Sequence, residues 1–211
     1  PLFFLMIRRP PRSTPMPSSA ASDVYKRQLT NDVDIEVVTM LENANDGAID
    51  GTTEEEQIIE PLRIKKLYNK SMKYLSGGEL QKVAVATCLL KKVDLYALDE
   101  PSAFLDVEDR IAVGKFLQKF CRSFGKSAIV IDHDLQLMDL VSDSMVIFEG
   151  VSSVEGYATS PLPKIDAMNR FLKSLEITFR RDEKSRRPRV NKDGSRLDKD
   201  QKDNQNYYYK K

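Results

Sequence analysis

Several residue types that often carry function are scarce in this chain. Its 211 residues include no tryptophan, two cysteines and one histidine. The cysteines, Cys88 and Cys121, lie far apart, and neither has a cysteine or histidine at the spacing of a metal site. This pattern argues against a disulfide-rich or zinc-finger fold. We expect both cysteines to be buried thiols in a reducing compartment.

Long hydrophobic runs are also missing. No apolar stretch approaches the roughly 18 residues that a membrane-spanning helix needs. The chain is 41% hydrophobic and 31% charged, which is typical of one globular core with tails. We therefore expect a soluble, cytoplasmic protein with no membrane partner.

An excess of one charge is absent from the whole chain but present at its end. Lysine and arginine number 33 and aspartate and glutamate 32, for a net charge of +1. Residues 180–211 hold 12 of the basic and 6 of the acidic residues, so the body is mildly acidic. A basic tail can bind phosphates by releasing counterions, although charged runs are more often solvated surface.

The first part of the chain differs from the rest. Residues 1–28 begin with an apolar burst that precedes, rather than follows, a pair of arginines, and this order is wrong for a secretory signal. A transit peptide is one alternative, but the segment resembles translated sequencing-adaptor sequence. We expect residues 1–28 to be non-native or disordered. Residues 29–56 read as a loop-rich lead-in, with residues 34–41 as its one candidate ordered element.

The remaining chain predicts an α/β fold. Apolar, β-branched strands alternate with amphipathic helices across residues 57–160, a pattern that favours a mostly parallel sheet flanked by helices. Residues 161–192 predict a terminal helix and a basic hinge-like segment, and residues 193–211 predict a disordered tail. The elements expected in the central region are helices at 78–92, 106–125, 134–141 and strands at 93–98, 127–131, 145–148.

Ser76, Gly77 and Gly78 immediately precede a predicted helix. A hydroxyl, two unobstructed backbone amides and the positive end of a helix dipole together suit an anionic phosphate. A serine cap followed by turn glycines explains the same residues without a ligand. The motifs that follow favour the phosphate interpretation.

Two adjacent carboxylates, Asp99 and Glu100, follow a short apolar strand, and His133 follows the next strand along the chain. Carboxyl ends of parallel strands meet at one edge of a sheet, so these groups should lie together. Asp99 would then help to hold Mg²⁺ and Glu100 would activate water, while His133 would contact the transferred phosphate. Solvated loop acids and a structural histidine are the simpler alternatives for each group alone.

Taken together, these residues resemble the carboxyl-terminal half of an ATP-binding cassette domain. The sequence LSGGE at residues 75–79 looks like the signature motif, and residues 95–100 look like the Walker B strand. Residues 102–106 look like the D-loop, and His133 looks like the switch histidine. The resemblance implies that ATP would contact Ser76, Gly77, Gly78, Glu79 and Asp106, that Asp99 would serve as the metal residue, and that Glu100 and His133 would be catalytic.

The end of the chain resembles one subfamily in particular. Residues 171–192 are similar to the carboxyl terminus of the E subfamily, the ribosome-recycling ATPases. That resemblance implies a second cassette that closes on a first cassette of the same polypeptide to split ribosomes. It also implies contacts with the small ribosomal subunit, ribosomal RNA, and translation termination and initiation factors. Iron–sulfur clusters are expected only in an amino-terminal part that precedes these residues.

One family element has no counterpart here. No G-x-x-x-x-G-K-[ST] phosphate loop, the Walker A motif, occurs in the 211 residues, so we expect this fragment alone to be inactive. The rival interpretations are the ATPase subunit of a transporter, a DNA-repair cassette and a catalytically dead scaffold of cassette shape. A repair ATPase would need a heptad coiled coil before the signature, and residues 29–75 contain no such repeat.

Overall fold

The structure is a computed structural model that describes residues 3–6, 34–151, 154–182 and 188–209, with residues 3–6 and 151 as backbone alone. The prediction that residues 1–28 are non-native or disordered lies outside the described residues, apart from the backbone of one strand.

A six-stranded sheet forms the centre of the molecule. Its order is β2-β3-β1-β4-β5, and β6 also pairs with β4. β2 and β3 are parallel, whereas β1 runs antiparallel to both β3 and β4. β2, β3 and β4 therefore point the same way, with β1 inverted between β3 and β4. The strands are β1 (Phe3–Met6), β2 (Leu95–Asp99), β3 (Ser127–Ile131), β4 (Ser144–Val151), β5 (Glu155–Ala158) and β6 (Leu162–Pro163).

The described part of the chain also contains six α-helices, and the three predicted in the central region end within a turn of the expected bounds. Before the signature segment the chain forms a single π-helical turn, Glu55–Ile59, and a separate 3-10 turn, Lys65–Leu67. The α-helices are α1 (Val37–Asn45), α2 (Gly77–Leu89), α3 (Val107–Ser123), α4 (Leu135–Val141), α5 (Lys164–Ser174) and α6 (Arg196–Asp203). Within the described residues, no helix combines the length and apolar character needed to cross a bilayer.

Close packing joins α3 to α4 beside the sheet. Gly114 of α3 faces α4 so closely that an added Cβ would lie 2.6 Å from Leu137 Cδ1. Leu117 and Met138 are fully buried in the same core. This contact fixes the direction of α4, which begins at the end of β3.

Both cysteines are buried and unbonded to each other, as the sequence predicted. Burial raises the pKa of the Cys88 thiol and of the Cys121 thiol to about 11 each. At neutral pH both are therefore neutral thiols, which are poor nucleophiles and poor metal ligands.

The lead-in at residues 29–56 is more ordered than its turn signals indicate. Val37, Leu41 and Ala44 are buried at helical spacing, so α1 packs on α2 with one apolar face. The candidate ordered element at residues 34–41 is therefore present as α1, which continues four residues further, to Asn45. The apolar residues of α1 are separated by acidic and polar residues in the sequence. They form one buried face only because α1 packs against α2.

The predicted disordered tail at residues 193–211 is also wrong as far as residue 209. α6 lies in this segment, and its Asp198 is buried. The Asp198 carboxylate accepts hydrogen bonds from Thr178 Oγ1 at 2.6 Å and from the Gly194 N–H at 3.0 Å, and it pairs with Lys202 at 2.9 Å. The Thr178 hydrogen bond, followed by Lys202, lowers the pKa of Asp198 to about 2. A buried polar network, together with the buried Tyr207 and Tyr208 in the core, orders this end of the chain.

Two tyrosines hold the last described residues against α4. The hydroxyls of Tyr208 and Tyr209 both donate to the buried Asp139 of α4, the latter at 3.1 Å. The Arg181 guanidinium lies 4.5 Å from the centre of the Tyr209 ring and 3.3 Å from Asp139 Oδ2. Burial, with the Asp139 hydrogen bond second, raises the pKa of Tyr208.

The basic hinge-like segment forms a hairpin of β7 (Phe179–Arg181) and β8 (Pro188–Val190). Its described arginines have partners within the chain. Arg180 donates to Asn191 Oδ1 at 3.1 Å, and Arg189 lies 3.2 Å from Asp182. These arginines therefore contribute to the internal structure of the hairpin.

Candidate functional site

The predicted catalytic groups meet at one edge of the sheet. Asp99 pairs with Ile131 across the parallel strands β2 and β3, so the residues that follow each strand are neighbours. Glu100 Oε1 lies 3.6 Å from His133 Nδ1. The His133 side chain is 76% exposed and the Glu100 side chain 41%, so both can reach a ligand from solvent. The structure thus brings together the two residues that sequence reasoning paired.

Glu100 has a strained backbone that is held from two sides. Its φ of +45° lies in the left-handed region, which a residue with a side chain seldom adopts. Its N–H donates to the Ile131 carbonyl at 2.7 Å, and its carbonyl accepts from Gln81 Nε2 at 3.0 Å. Strained residues of this kind persist where the surrounding structure holds them, and they cluster at active sites.

Asp132 is a buried residue beside the site, and sequence reasoning gave it no role. Its buried carboxylate accepts hydrogen bonds from the Ser102 N–H at 3.2 Å, from Ser102 Oγ at 3.0 Å and from the Asp134 N–H at 2.9 Å. It therefore ties the loop after β2 to the loop that carries His133. An acid immediately before the histidine was a visible signal, but its partner Ser102 lies 30 residues away in sequence.

A second missed residue, Arg110, reinforces the same junction. It pairs with Asp134, and its Nη2 donates to the Leu105 carbonyl at 3.1 Å. Asp134 also caps α4, because its Oδ1 accepts from the Gln136 and Leu137 N–H groups at 2.7 and 3.0 Å. One arginine thus joins the D-loop to the start of the helix after His133.

The signature segment forms a capping box at the start of α2. Ser76 Oγ accepts from the Glu79 N–H at 3.3 Å, and Glu79 Oε2 accepts from the Ser76 N–H at 3.0 Å. The N–H groups of Gly77 and Gly78, which have no partner within the helix, bond to no acceptor in the described part of the chain. Two open amides at the positive end of a helix dipole are suited to a phosphate oxygen.

Glu79 serves the capping box directly. Lys70 Nζ lies 2.9 Å from Glu79 Oε1. The Ser76 N–H, followed by Lys70, lowers the pKa of Glu79 to about 2. The side chain expected to contact nucleotide is therefore already engaged in holding the helix start, and its contact with nucleotide stays a prediction.

Acidic side chains surround the open amides. A cleft of about 450 Å³ lies between the start of α2 and the D-loop and includes Asp106 and Asp109. Asp106 caps α3 by accepting from the Asp109 N–H at 2.8 Å, and Asp109 pairs with Lys82 at 2.7 Å. Because Lys82 is matched by Asp109, a triphosphate here needs positive charge from another source. This need fits a nucleotide delivered by a second polypeptide segment.

Phe104 of the D-loop packs directly on the signature glycines. A Cβ added to Gly77 would lie 3.1 Å from Phe104 Cβ, and one added to Gly78 would lie 3.1 Å from the Phe104 carbonyl oxygen. Phe104 has a φ of +61°, and its side chain is 78% exposed. A side chain at either signature position would therefore require the D-loop to shift by a few tenths of an ångström.

Asp99 is suited to a magnesium ion that enters with nucleotide. Its half-buried carboxylate makes no hydrogen bond or ion pair with the residues that the structure describes. In that same part of the chain, no cluster of three or more metal-ligating side chains could hold an ion by itself. Mg²⁺ commonly takes one or two carboxylates and completes its shell with phosphate oxygens and water. Asp99 fits this arrangement as a single protein ligand.

Comparison with known proteins shows which families this chain resembles. The model of the ABC transporter family matches residues 17–103. The chain is 43% identical over 186 residues, 88% of its length, to an uncharacterised ABC transporter ATP-binding protein of Methanocaldococcus jannaschii, and it covers 31% of that protein. It is 41% identical over 152 residues, 72% of its length, to translation initiation factor RLI1 of Saccharomyces cerevisiae, of which it covers 25%.

Solved structures agree with these relatives. The complex of archaeal ribosomal stalk protein aP1 with archaeal ribosome recycling factor aABCE1 matches 85% of this chain at 42% identity, with a TM-score of 0.77, and 35% of that chain is covered. Ribosome-bound archaeal Pelota and ABCE1 match 86% of this chain at 41% identity, with a TM-score of 0.79 and 30% of that chain covered. The chain spans between a quarter and a third of the curated relatives named above. It carries part of an ATP-binding cassette domain, and it is similar to members of the E subfamily of that family.

Proposed function

We propose that this chain is part of the second cassette of a cytoplasmic ATPase that splits ribosomes into subunits. The observation that carries the proposal is the Glu100–His133 pair, 3.6 Å apart, in which Glu100 lies on a loop that also contacts the signature glycines through Phe104. Relatives at about this identity include a translation initiation factor and a ribosome recycling factor. The geometry supports phosphoryl-transfer chemistry, and the relatives support the ribosome as its target.

The two parts of the site would serve different ATP molecules. Gly77 and Gly78 would donate their open amides to the terminal phosphate of a nucleotide held by the first cassette of the same polypeptide. Glu100 would orient and deprotonate the water that attacks a nucleotide held by the second cassette's own phosphate loop. His133 would donate a hydrogen bond to the same terminal phosphate. Because no phosphate loop occurs in the 211 residues, this chain alone should not hydrolyse ATP.

Magnesium would supply positive charge to the phosphates when bound, and Asp99 would be its protein ligand. The carboxylates of Asp106 and Asp109 would give the rim of the signature cleft a negative charge until the nucleotide and its Mg²⁺ bind there. Hydrolysis would therefore depend on closure, which brings the nucleotide with its cation against the signature helix. Iron–sulfur clusters would belong to an amino-terminal part of the protein, since both cysteines here are buried.

The partners proposed from the relatives are translational. Ribosome-bound Pelota and ABCE1 support contact with a ribosome, and the name of RLI1 supports a role in translation initiation. From these we propose contacts with the small ribosomal subunit and with termination and initiation factors. Contact with ribosomal RNA would use basic side chains that lie outside the ion pairs of the hairpin. The exposed Lys192 and Lys199 are two such side chains. Phosphate contacts of this kind give salt-dependent binding.

The test is a trapping experiment with the full-length protein. Glu100→Gln keeps the size of the side chain and removes the base, so ATP should bind and hydrolysis should stop. The variant should then co-sediment with small ribosomal subunits in ATP, as the wild-type protein should with a non-hydrolysable analogue. Glu108→Gln is the matched control, because Glu108 is an exposed glutamate in the first turn of α3.

The outcomes separate the residue assignment from the function. If Glu100→Gln hydrolyses ATP as fast as Glu108→Gln, Glu100 does not activate water. If neither the wild-type protein with the analogue nor the variant with ATP binds small subunits, the ribosomal function is refuted. Recovery of the protein with membranes instead would support a transporter subunit.

A further inference from the structure

A single side chain links the signature helix to the strained catalytic residue. Gln81 lies in α2, one turn beyond the signature glycines, and its Nε2 donates to the Glu100 carbonyl at 3.0 Å. From the geometry, we propose that Gln81 is a positioning residue that couples nucleotide contact at Gly77 and Gly78 to the position of Glu100. The inference rests on the proposed function, in which those two places serve different ATP molecules.

The hydrogen bond acts on the part of Glu100 that has least freedom. With a φ of +45°, the residue can relax toward ordinary backbone angles unless its peptide groups are held. The Ile131 carbonyl holds the N–H from the sheet. The Glu100 carbonyl accepts from the Ala103 N–H within the loop at 3.0 Å and from Gln81 of the helix at 3.0 Å, so Gln81 is its link to α2. The sheet anchor is fixed, because β2 and β3 pair along their whole lengths. The helix anchor is the one that can change when α2 moves.

A second contact links α2 to the other end of the loop after β2. At the other end of the same loop, Phe104 packs on the signature glycines, with 3.1 Å between its atoms and an added Cβ at either glycine. α2 therefore touches the loop at Glu100 through Gln81 and at Phe104 through the glycines. A shift of the helix start toward a phosphate would carry both ends of the loop with it. Occupation of one nucleotide site would thus adjust the water-activating carboxylate of the other site.

The chain offers a closely matched control for this hydrogen bond. Gln118 Nε2 donates to the Leu140 carbonyl at 2.9 Å, in a similarly half-buried position between α3 and α4. Both glutamines therefore make one side-chain hydrogen bond to a backbone carbonyl on another segment. Replacing either by methionine removes the donor and keeps the length of the side chain. The two variants should lose similar stability, whereas only the Gln81 variant should lose coupling.

The experiment measures steady-state ATP hydrolysis by the full-length protein as a function of ATP concentration. We expect Gln81→Met to lower kcat about tenfold, the order of loss for a misplaced catalytic group, with KM little changed and cooperativity between the sites reduced. Gln118→Met should match the wild-type protein in all three. Gln81→Lys restores an N–H donor on a side chain one atom longer and should recover most of kcat.

Three results bear on the inference. Equal kcat and cooperativity for Gln81→Met and Gln118→Met would overturn it while leaving the ATPase intact. Equal activity of Gln81→Lys and Gln81→Met would overturn the hydrogen bond as the link. Absence of ATP hydrolysis by the wild-type protein would instead refute the proposed function. Thermal unfolding of both methionine variants, compared in parallel, distinguishes lost coupling from lost folding.

Discussion

The capping box at the signature motif predicts a measurable effect of Glu79→Gln on stability. Glu79 Oε2 accepts from the Ser76 N–H, and Glu79 Oε1 pairs with Lys70 at 2.9 Å. Glutamine keeps an oxygen that can accept from Ser76, but it carries no charge. The substitution therefore removes the ion pair and the interaction with the helix dipole while leaving the helix start capped.

The magnitude follows from the pKa of Glu79, which the Ser76 N–H and Lys70 lower from 4.5 to about 2. Such a difference between folded and unfolded states corresponds to roughly 3 kcal/mol at neutral pH as an upper bound. The side chain is 24% exposed and its partner lies at the surface, so solvent screening reduces this to about 1–2 kcal/mol. Because the folded pKa is depressed, the contribution is complete above pH 4.5 and is lost as the pH falls toward about 2.

Urea unfolding of the 211-residue chain, followed by circular dichroism, measures this effect. We expect Glu79→Gln to lower the free energy of unfolding by about 1 kcal/mol at pH 7 and by less than half of that at pH 3. Glu108→Gln supplies the control, because it removes an exposed acid from the first turn of another helix. The reasoning is refuted if the two substitutions cost the same at pH 7, or if the cost of Glu79→Gln does not fall with pH.

The remaining predictions concern packing, the loop junction and the basic end. Gly114→Ala should destabilise the chain by about 1–3 kcal/mol, because its Cβ would lie 2.6 Å from a leucine of α4, whereas Gly47→Ala meets nothing within 4 Å and serves as its control in urea unfolding. Asp132→Ala should cost about 1–3 kcal/mol by leaving buried donors unpaired, and it should also lower kcat of the full-length protein. Lys192→Glu with Lys199→Glu should weaken co-sedimentation with small subunits and flatten its salt dependence; an unchanged salt slope would contradict RNA contact.

Local patterns predicted much of the fold correctly. The β-branched run at residues 127–131 became β3 with the predicted bounds, and Asp134 caps α4 as expected. Both elements depend on signals within a few residues, namely strand propensity and an N-cap side chain. The same holds for the start of α2 at the signature glycines. Parallel pairing of β2 and β3 then made the Glu100–His133 pair predictable from topology alone.

Order at the carboxyl terminus was not predictable in this way. Asp198 reads as a surface acid in a charged tail, yet it is buried because Thr178, Gly194 and Lys202 supply partners. Those partners include a residue 20 positions away. Amino-acid composition indicates how much apolar surface can be buried. It does not reveal a network of polar side chains whose hydrogen-bond donors and acceptors pair with one another. The same limit hid the hydrogen bonds of Asp132 and Gln81 at the candidate site.

The missed residues share one physical role, and it explains how the site can be both exposed and ordered. Glu100 and His133 lie on loops that face solvent, where few apolar contacts could fix them. The loop after β2 is instead held by polar groups from separate elements, through Gln81 at one end and Asp132 near its middle. Hydrogen bonds are directional, so they can fix a strained backbone without covering the side chains that must meet a ligand. A junction of this kind orders the loop, and a movement of one anchoring element shifts the groups that the loop carries.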